Sequence, residues 1–460
     1  MPFAKTGGLA DVAGALPRAL REAGAGPMLV MPLYEQVDRA LLDELVFDNL
    51  EVEWRGRVRR ASVLYSFAAG APAFLIDAPD YFARPSIYGF ADDHERFAFF
   101  CHATLALLKR IGEPPDILHV NDWPCGFASV ELQRTRRAND PFFARTRSLF
   151  SIHNLAYQGA FDPNDLRVLG FGSQEETNAF LLNGAASALK AGLMTSDALS
   201  TVSRRYALEI QTPEQGYGLD WLLRARSDRL VGITNGVDYN VWNPETDPHI
   251  AAHFNADDLT GKRQCKLDLL RRFGLPEETE RPVIAIISRL VAQKGYDLIR
   301  EVIGDVLNTG AFFIALGAGA REYEDFLQAL HDQTPQRVGV YIGYAGEPLA
   351  HQIEAGADIF LMPSLYEPCG LNQMYSMRYG TVPVVRATGG LEDTIDENTG
   401  FKFRDYNGGA LLHALGTALH TFRSDKPRWA SLMRNGMRRD HSWAVAASEY
   451  RKLYRRVLST

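Results

Sequence analysis

Two cations share one loop in "SRLVAQKG", residues 288–295, where Arg289 and Lys294 follow the apolar run "PVIAIIS". A pair of this kind suits a diphosphate, because charge-assisted hydrogen bonds are about twice as strong as neutral ones. The bland alternative is a solvated surface pair. A second candidate anion site lies at the start of the chain, in "KTGGLADVAGAL". Leu9, Val12, Ala13 and Leu16 recur there at helical spacing and place Gly7 and Gly8 just before a helix. Unpaired N–H groups and about half a positive charge from the helix dipole favour a phosphate at such a point, and Lys5 adds a full charge. A plain tight turn reads equally well. Pro17 is expected to kink this helix or to begin a second segment.

Carboxylates and imidazole come next. In "PSLYEPCGLNQMYSMRYG", residues 363–380, a strand ends in a loop and a helix is expected near Gly370. Glu367 lies beside the Gly370 and Leu371 amides, and an anion beside anion-binding amides suits a neutral, hydroxyl-rich partner such as a sugar. A helix-capping acid is the alternative. "SIHNLAYQG" sets His153 and Asn154 after a strand, and "HVNDWPCG" does the same for Asn121 and Asp122. Singly, His153 reads as a core histidine and Asp122 as a cap; their shared sheet edge favours function. "LGAGAREY" imitates a dinucleotide fingerprint but has Glu322 at the third glycine position. Asp92–Asp93 and Asp257–Asp258 follow no clear strand, so no metal and no cofactor are assigned.

These residues need strands to hold them. Short apolar runs bounded by turn signals ("PMLVMPL", "AFLID", "DILHV", "SLFSI", "ALSTVS", "LVGIT") fill the first half. A second series ("PVIAIIS", "FFIALG", "VGVYIG", "ADIFLMP", "VPVVR") fills the second, with helix-length amphipathic segments between its members. The alternation predicts an α/β protein with parallel sheets covered by helices on both faces. With 460 residues the chain is too long for one core, and the Asn-, Asp- and Pro-rich segment 235–249 marks a boundary near residue 240. Two domains are expected, 1–240 and 241–460, with room for the last helix to cross back. "ATGGLEDT", residues 387–394, echoes the first glycine loop, which suggests one such loop per domain at the carboxyl edge of each sheet.

Composition narrows the partners. A net charge of −7 offers no basic field for nucleic acid or anionic lipid, and the basic end "YRKLYRRVL" reads as a solvated helix face. No apolar run approaches the roughly 18 residues of a membrane span. Cys101, Cys125, Cys265 and Cys369 form no CxxC pair, which fits a reducing cytoplasm. Tyr81, Phe82, Phe90 and Phe97 read by default as core rather than as a sugar platform.

Across almost its whole length the chain resembles the bacterial glycogen synthase and plant starch synthase family. "KTGGLADV", "HNLAYQG", "LKAGL", "NGVDYNVWNPETD", "SRLVAQKG", "EPCGLNQMY" and "TGGLEDT" match in order. The resemblance implies the GT-B fold, two Rossmann-like doubly wound domains facing a cleft, with no metal. It implies transfer of glucose from ADP-glucose to the non-reducing 4-hydroxyl of an α-1,4-glucan (glycogen or maltooligosaccharide) with retention. By the same resemblance the C-terminal domain serves the donor and the N-terminal domain the acceptor. Arg289 and Lys294 would hold the diphosphate, with Lys5, Gly7 and Gly8 on the donor and Cys369, Gly370 and Leu371 lining it. Glu367, Asp11, His153 and Asn154 would surround the glucose, Tyr344 in "IGYAGEP" would stack on adenine, and Asp122 and Tyr88 would lie near the sugar or acceptor. Two departures stand out. Only "MPFA" precedes the first motif, so the family's first strand reads as missing, and Pro124 replaces a frequent histidine after "DW". The competing readings are another retaining GT-B transferase or epimerase, and an inactive glucan- or nucleotide-binding homologue.

Overall fold

The computed structural model describes residues 2–343 and 346–459. The chain divides into two compact units, Met1–Gly236 with Trp443–Thr460, and Val237–Ser442. The last helix, Trp443–Leu458, is therefore part of the first unit.

In the first unit, strands β1 (Leu29–Pro32), β2 (Glu44–Trp54), β3 (Arg57–Ser66) and β4 (Ala73–Asp77) form one sheet in the order β1-β4-β3-β2. Only β1 and β4 run parallel; β2, β3 and β4 are antiparallel. The β2–β3 hairpin turns through Arg55 and Gly56, both at positive φ (54° and 72°), the twist that a two-residue hairpin loop needs. A search for apolar runs passes over this hairpin, because charged residues break up its strands on both sides of the turn, from Glu51 to Arg60. The second sheet holds β5 (Ile117–Asn121) and β6 (Arg147–Ile152). A small antiparallel sheet of β7 (Ala160–Phe161), β8 (Leu181–Leu182) and β9 (Ala185–Ser187) comes between in sequence. Then β10 (Ala198–Thr201) and β11 (Leu230–Gly232) complete a parallel sheet of order β11-β10-β6-β5.

One face of that sheet is covered by the helices Gly8–Glu22 and Trp443–Leu458. Val12, Ala15, Leu16, Ala19 and Leu20 bury against Trp443, Ala446, Ala447, Tyr450 and Leu453, together with Leu149 and Ala198 of the sheet. Both sets recur at three- and four-residue steps, the stripe a helix needs to cover a core. Pro17 neither breaks nor restarts the first helix, which runs unbroken from Gly8 to Glu22. Phe82 and Phe97 are buried, and Tyr81 stacks on Phe99 at 4.3 Å, so the sugar-platform alternative fails for them.

The second unit is built on β12 (Val283–Ile287), β13 (Phe312–Gly317), β14 (Val338–Ile342), β15 (Ile359–Met362), β16 (Val382–Arg386) and β17 (Phe401–Phe403). All are parallel, in the order β14-β13-β12-β15-β16-β17. The order reverses between β12 and β15, and at such a switch point the loops leaving two neighbouring strands diverge to opposite faces and open a crevice. Those loops are the ones that carry Arg289, Lys294 and Glu367. Among the described residues no helix is long and apolar enough to cross a membrane.

Candidate functional site

In the second unit the loop after β12 is drawn close to the loop after β15. Gly295 sits at φ +77°, and a Cβ there would lie 2.2 Å from the Pro363 carbonyl oxygen, so only glycine lets the two loops meet. Gln293 ties them further: its side chain donates to the Tyr366 carbonyl at 3.1 Å, and its own carbonyl accepts from the Leu365 amide at 2.8 Å. The result is a direct ion pair, Lys294 Nζ to Glu367 Oε2 at 2.6 Å, and the Ser364 hydroxyl donates to the same oxygen at 3.0 Å. Glu367 is buried. Both bonds fall on Oε2, which leaves Oε1 as an acceptor for a hydroxyl. Lys294 has three N–H donors and spends one on the carboxylate, so it can still bind a second anion.

Arg289 is exposed and reaches the Gln293 side chain only at 3.4 Å. Gly370 takes φ +71° and leads into the seven-residue helix Asn372–Arg378. The Gly370 and Leu371 amides donate to no acceptor among the described residues, whereas the Cys369 carbonyl accepts from Gln373 and Cys369 is buried. Glu367 does not cap that helix, whose first turn holds no acid. Tyr344 lies outside the described residues.

In the first unit the carboxyl ends of β5 and β6, which are neighbours, bring Asn121 and Asp122 to His153 and Asn154. Asp122 Oδ1 accepts from the His153 amide at 2.7 Å and from the Asn154 amide at 3.4 Å. It makes no side-chain cap to the helical turn that follows and is held at φ +55°, an uncommon conformation for a residue with a side chain. Burial pushes its carboxyl up, to about 7, while those two amides pull it back. His153 Nε2 lies 2.9 Å from Asn121 Oδ1, which can only accept, so Nε2 carries the proton and Nδ1 is left as an acceptor. Burial depresses the His153 imidazole to about 3, so it is neutral in ordinary buffers.

Below this layer His119 bonds Ser151 Oγ at 2.6 Å and Tyr454 Oη at 2.9 Å, and burial lowers it to about 4. Tyr454 comes from the last helix, so that helix is anchored by a polar contact beneath the His153 layer as well as by packing. Tyr88 joins through Trp123, its ring 5.9 Å away, and burial followed by the Asp122 charge raises its phenol. Trp123 is pressed on by Gly159, where a Cβ would stand 2.2 Å from the indole.

Lys5 and Asp11 form an exposed pair at 2.7 Å beside the start of the first helix. No hydrogen bond or ion pair among the described residues joins this pair to His153. Gly7 and Gly8 are exposed, with no atom within 4 Å of a Cβ at either. The second glycine loop does not match this openness. Gly389 and Gly390 are buried, and a Cβ would meet the Glu367 carbonyl at 1.9 Å or the Cys369 carbonyl at 2.0 Å. Sequence reading left Gln293 and Ser364 unassigned, and it did not foresee the pairing of Lys294 with Glu367. A polar residue inside each motif was the only signal.

The chain as a whole is similar to known proteins. Residues 1–225 match the family model for the starch synthase catalytic domain, and residues 270–426 match that for glycosyl transferases group 1. The glycogen synthase of Koribacter versatilis is 46% identical over 99% of this chain and 96% of its own length. Glycogen synthase 1 of Geobacter metallireducens is 42% identical over 100% and 94%. Among solved structures, the catalytic domain of starch synthase IV from Arabidopsis thaliana bound to ADP and acarbose superposes with a TM-score of 0.91. It is 33% identical and covers 100% of this chain and 97% of the other. Sucrose-phosphate synthase from Thermosynechococcus elongatus, at 18% identity and a TM-score of 0.60, shares the fold. The protein is thus a glycosyltransferase of the GT-B class. Within that class, the chain belongs to the glycogen and starch synthase family.

Proposed function

We propose that the protein transfers glucose from ADP-glucose to the non-reducing 4-hydroxyl of an α-1,4-glucan with retention of configuration, acting in the cytoplasm. The observation that carries the reading is the Lys294–Glu367–Ser364 cluster beside the undonated Gly370 and Leu371 amides. It sets cation and N–H groups for a diphosphate next to a carboxylate oxygen, Glu367 Oε1, for a sugar hydroxyl. Full-length similarity to glycogen synthases, and to a starch synthase structure holding ADP and acarbose, supports the choice of substrates.

Charge explains the division of labour. As the bond between the anomeric carbon and the phosphate oxygen breaks, negative charge grows on the leaving diphosphate. Arg289, Lys294 and the Gly370 and Leu371 amides stabilise that charge more than they stabilise the bound donor, and only this difference accelerates the step. Lys5, Gly7 and Gly8 of the first unit are assigned to the donor phosphates on the same grounds. Neutral His153, accepting at Nδ1, Asn154 and Asp11 are assigned to sugar hydroxyls, and Tyr344 to the adenine. Asp122 and Tyr88 are assigned to the sugar or acceptor side, with Asp122 also positioning the His153–Asn154 backbone.

Retention requires the acceptor oxygen to arrive on the face from which the phosphate leaves, or a covalent relay. Glu367 has Oε2 held by Lys294 and Ser364, which suits binding a hydroxyl better than bonding carbon. We therefore assign front-face attack, with the acceptor proton passing to the departing phosphate oxygen. A glucosyl ester on Glu367, seen by mass spectrometry after acid quench, would replace this step with a double displacement. The reading as a whole is tested by incubating the protein with glycogen and radiolabelled ADP-glucose or UDP-glucose. Label should enter the polymer from ADP-glucose at least about tenfold faster, a difference worth only about 1.4 kcal/mol at the transition state. Failure to lengthen glycogen from either donor overturns it.

A further inference from the structure

Between the two cations of the loop 288–295 stands Gln293, a side chain that the proposed chemistry does not use. Its carboxamide is occupied at both ends. Nε2 donates to the Tyr366 carbonyl at 3.1 Å, and Oε1 accepts from the Arg289 guanidinium at 3.4 Å. A carbonyl can only accept and a guanidinium can only donate, so these two partners fix which way round the amide sits. They also explain the residue type. Glutamate reaches as far without the donor, lysine donates without accepting, and methionine does neither. Among unbranched side chains of this length, glutamine is the neutral one with a donor edge and an acceptor edge.

The two partners belong to different halves of the assigned chemistry. Arg289 is assigned to the diphosphate, and Tyr366 immediately precedes Glu367, whose Oε1 is assigned to a sugar hydroxyl. Arg289 is exposed, and its contact with Gln293 is its one hydrogen bond among the described residues, so Gln293 is what aims the guanidinium. The loop that carries Glu367 is held independently of this carboxamide. The Leu365 amide donates to the main-chain carbonyl of Gln293 at 2.8 Å, Arg386 donates to the Ser364 and Leu365 carbonyls, and the Gly390 amide donates to the Glu367 carbonyl at 3.1 Å. Lys294 and Ser364 hold the Glu367 carboxylate itself. What the Gln293 side chain alone supplies is the link from the guanidinium to that loop.

We infer that Gln293 is a positioning residue that sets the distance between Arg289 and Glu367, and so keeps the diphosphate and the glucose of one donor molecule in register. This rests on the proposed function for its choice of donor. Misplacing a reacting centre by about 1 Å costs on the order of 100-fold in rate even while both halves of the ligand stay bound. ADP lacks the sugar and needs only the Arg289 end; ADP-glucose spans the link.

The test is calorimetry on the full chain with ADP and with ADP-glucose, no acceptor being present, beside transfer to glycogen. Gln293→Met keeps the length and removes both polar edges. It should bind ADP within about threefold of the parent, bind ADP-glucose at least about tenfold more weakly, and lower kcat at least about tenfold. Gln293→Glu keeps the acceptor, loses the donor and adds a charge that draws Arg289 into an ion pair, so it should weaken ADP as well, at least about fivefold. The proposal is overturned if Gln293→Met binds ADP-glucose as tightly as the parent, or loses ADP by the same factor as ADP-glucose. It is also overturned if the Tm of Gln293→Met falls by more than about 5 °C, which marks the carboxamide as a brace of the fold, or if Gln293→Glu binds ADP as the parent does. If no donor lengthens glycogen, the enzymatic reading fails, while the difference between the two ligands still decides the role of Gln293; a parent that binds neither ligand overturns both.

Discussion

Gly7–Gly8 and Gly389–Gly390 sit in nearly the same letters, KTGGLAD and ATGGLED, yet the protein presses on only one pair. At Gly390 a Cβ would meet the Cys369 carbonyl at 2.0 Å and at Gly389 the Glu367 carbonyl at 1.9 Å, and the Gly390 amide donates to the Glu367 carbonyl at 3.1 Å. The second loop is a buried brace that holds the Glu367 backbone in place. At Gly7 the backbone is extended, and at neither Gly7 nor Gly8 does a Cβ meet anything within 4 Å. Nothing in the described chain asks for glycine at position 7, and the proposed function gives it a reason in the close approach of the donor phosphates. A glycine repeat therefore says that something comes near; whether it is backbone or substrate depends on what the fold places opposite.

The largest effect expected from this contrast is on stability. Gly390→Ala should destabilise the second unit by about 3 kcal/mol or more, because backbone rather than a flexible side chain stands in the way. Thermal and urea melts of the purified variant measure it, and a melt like the parent's would remove the brace from the account. Next, Lys294→Ala should lower kcat about 100-fold or more, the scale of losing one preorganised donor to developing charge, and should also cost stability by leaving buried Glu367 unpaired. Lys5→Ala, which breaks only an exposed pair, should leave Tm within about 1 °C while reducing kcat/KM for the donor.

Smaller still, Gly7→Ala should reduce kcat/KM for the nucleotide sugar about tenfold, or 1.4 kcal/mol, with an unchanged melt. Equal loss of stability and activity at Gly7 would erase the distinction between the two loops. The last prediction concerns pH. His153 and His119 are depressed by burial to about 3 and about 4, so their contribution is complete above their unfolded value of about 6.5 and is lost as pH falls toward those values. Asp122 is raised by burial to about 7, so its contribution is complete below about 3.8 and is lost as pH rises through 7. Near pH 5 the two histidines and the aspartate oppose each other. Asp122→Asn should therefore steepen the acid loss of stability by about one proton, or 1.4 kcal/mol per pH unit, in urea titrations between pH 4.5 and 6.

Much of the fold was legible because parallel, doubly covered strands are continuous apolar runs. All eleven runs singled out, from "PMLVMPL" to "VPVVR", are strands in the structure. The β2–β3 hairpin was not, because Arg57–Ser66 begins with an exposed, arginine-rich half and buries only Ala61, Val63 and Ser66 further on. The candidate residues were legible as types at strand ends, and five of them, His153, Asn154, Asp122, Lys294 and Glu367, are drawn into two hydrogen-bonded clusters. Their partners were not legible. Gln293 and Ser364 are ordinary polar letters until a neighbouring loop arrives.

By itself the sequence determined where the continuous apolar strands lie, the classes of side chain at the ends of β5, β6, β12 and β15, and the family, since periodicity and local motifs are properties of neighbours along the chain. Only the tertiary structure decided that Lys294 shares an oxygen of Glu367 with Ser364, which nitrogen of His153 bears the proton, and which glycine pair is open. These depend on strand order at a sheet edge, which brings together residues 31 and 73 positions apart, and on burial, which sets what a charge or a missing Cβ costs.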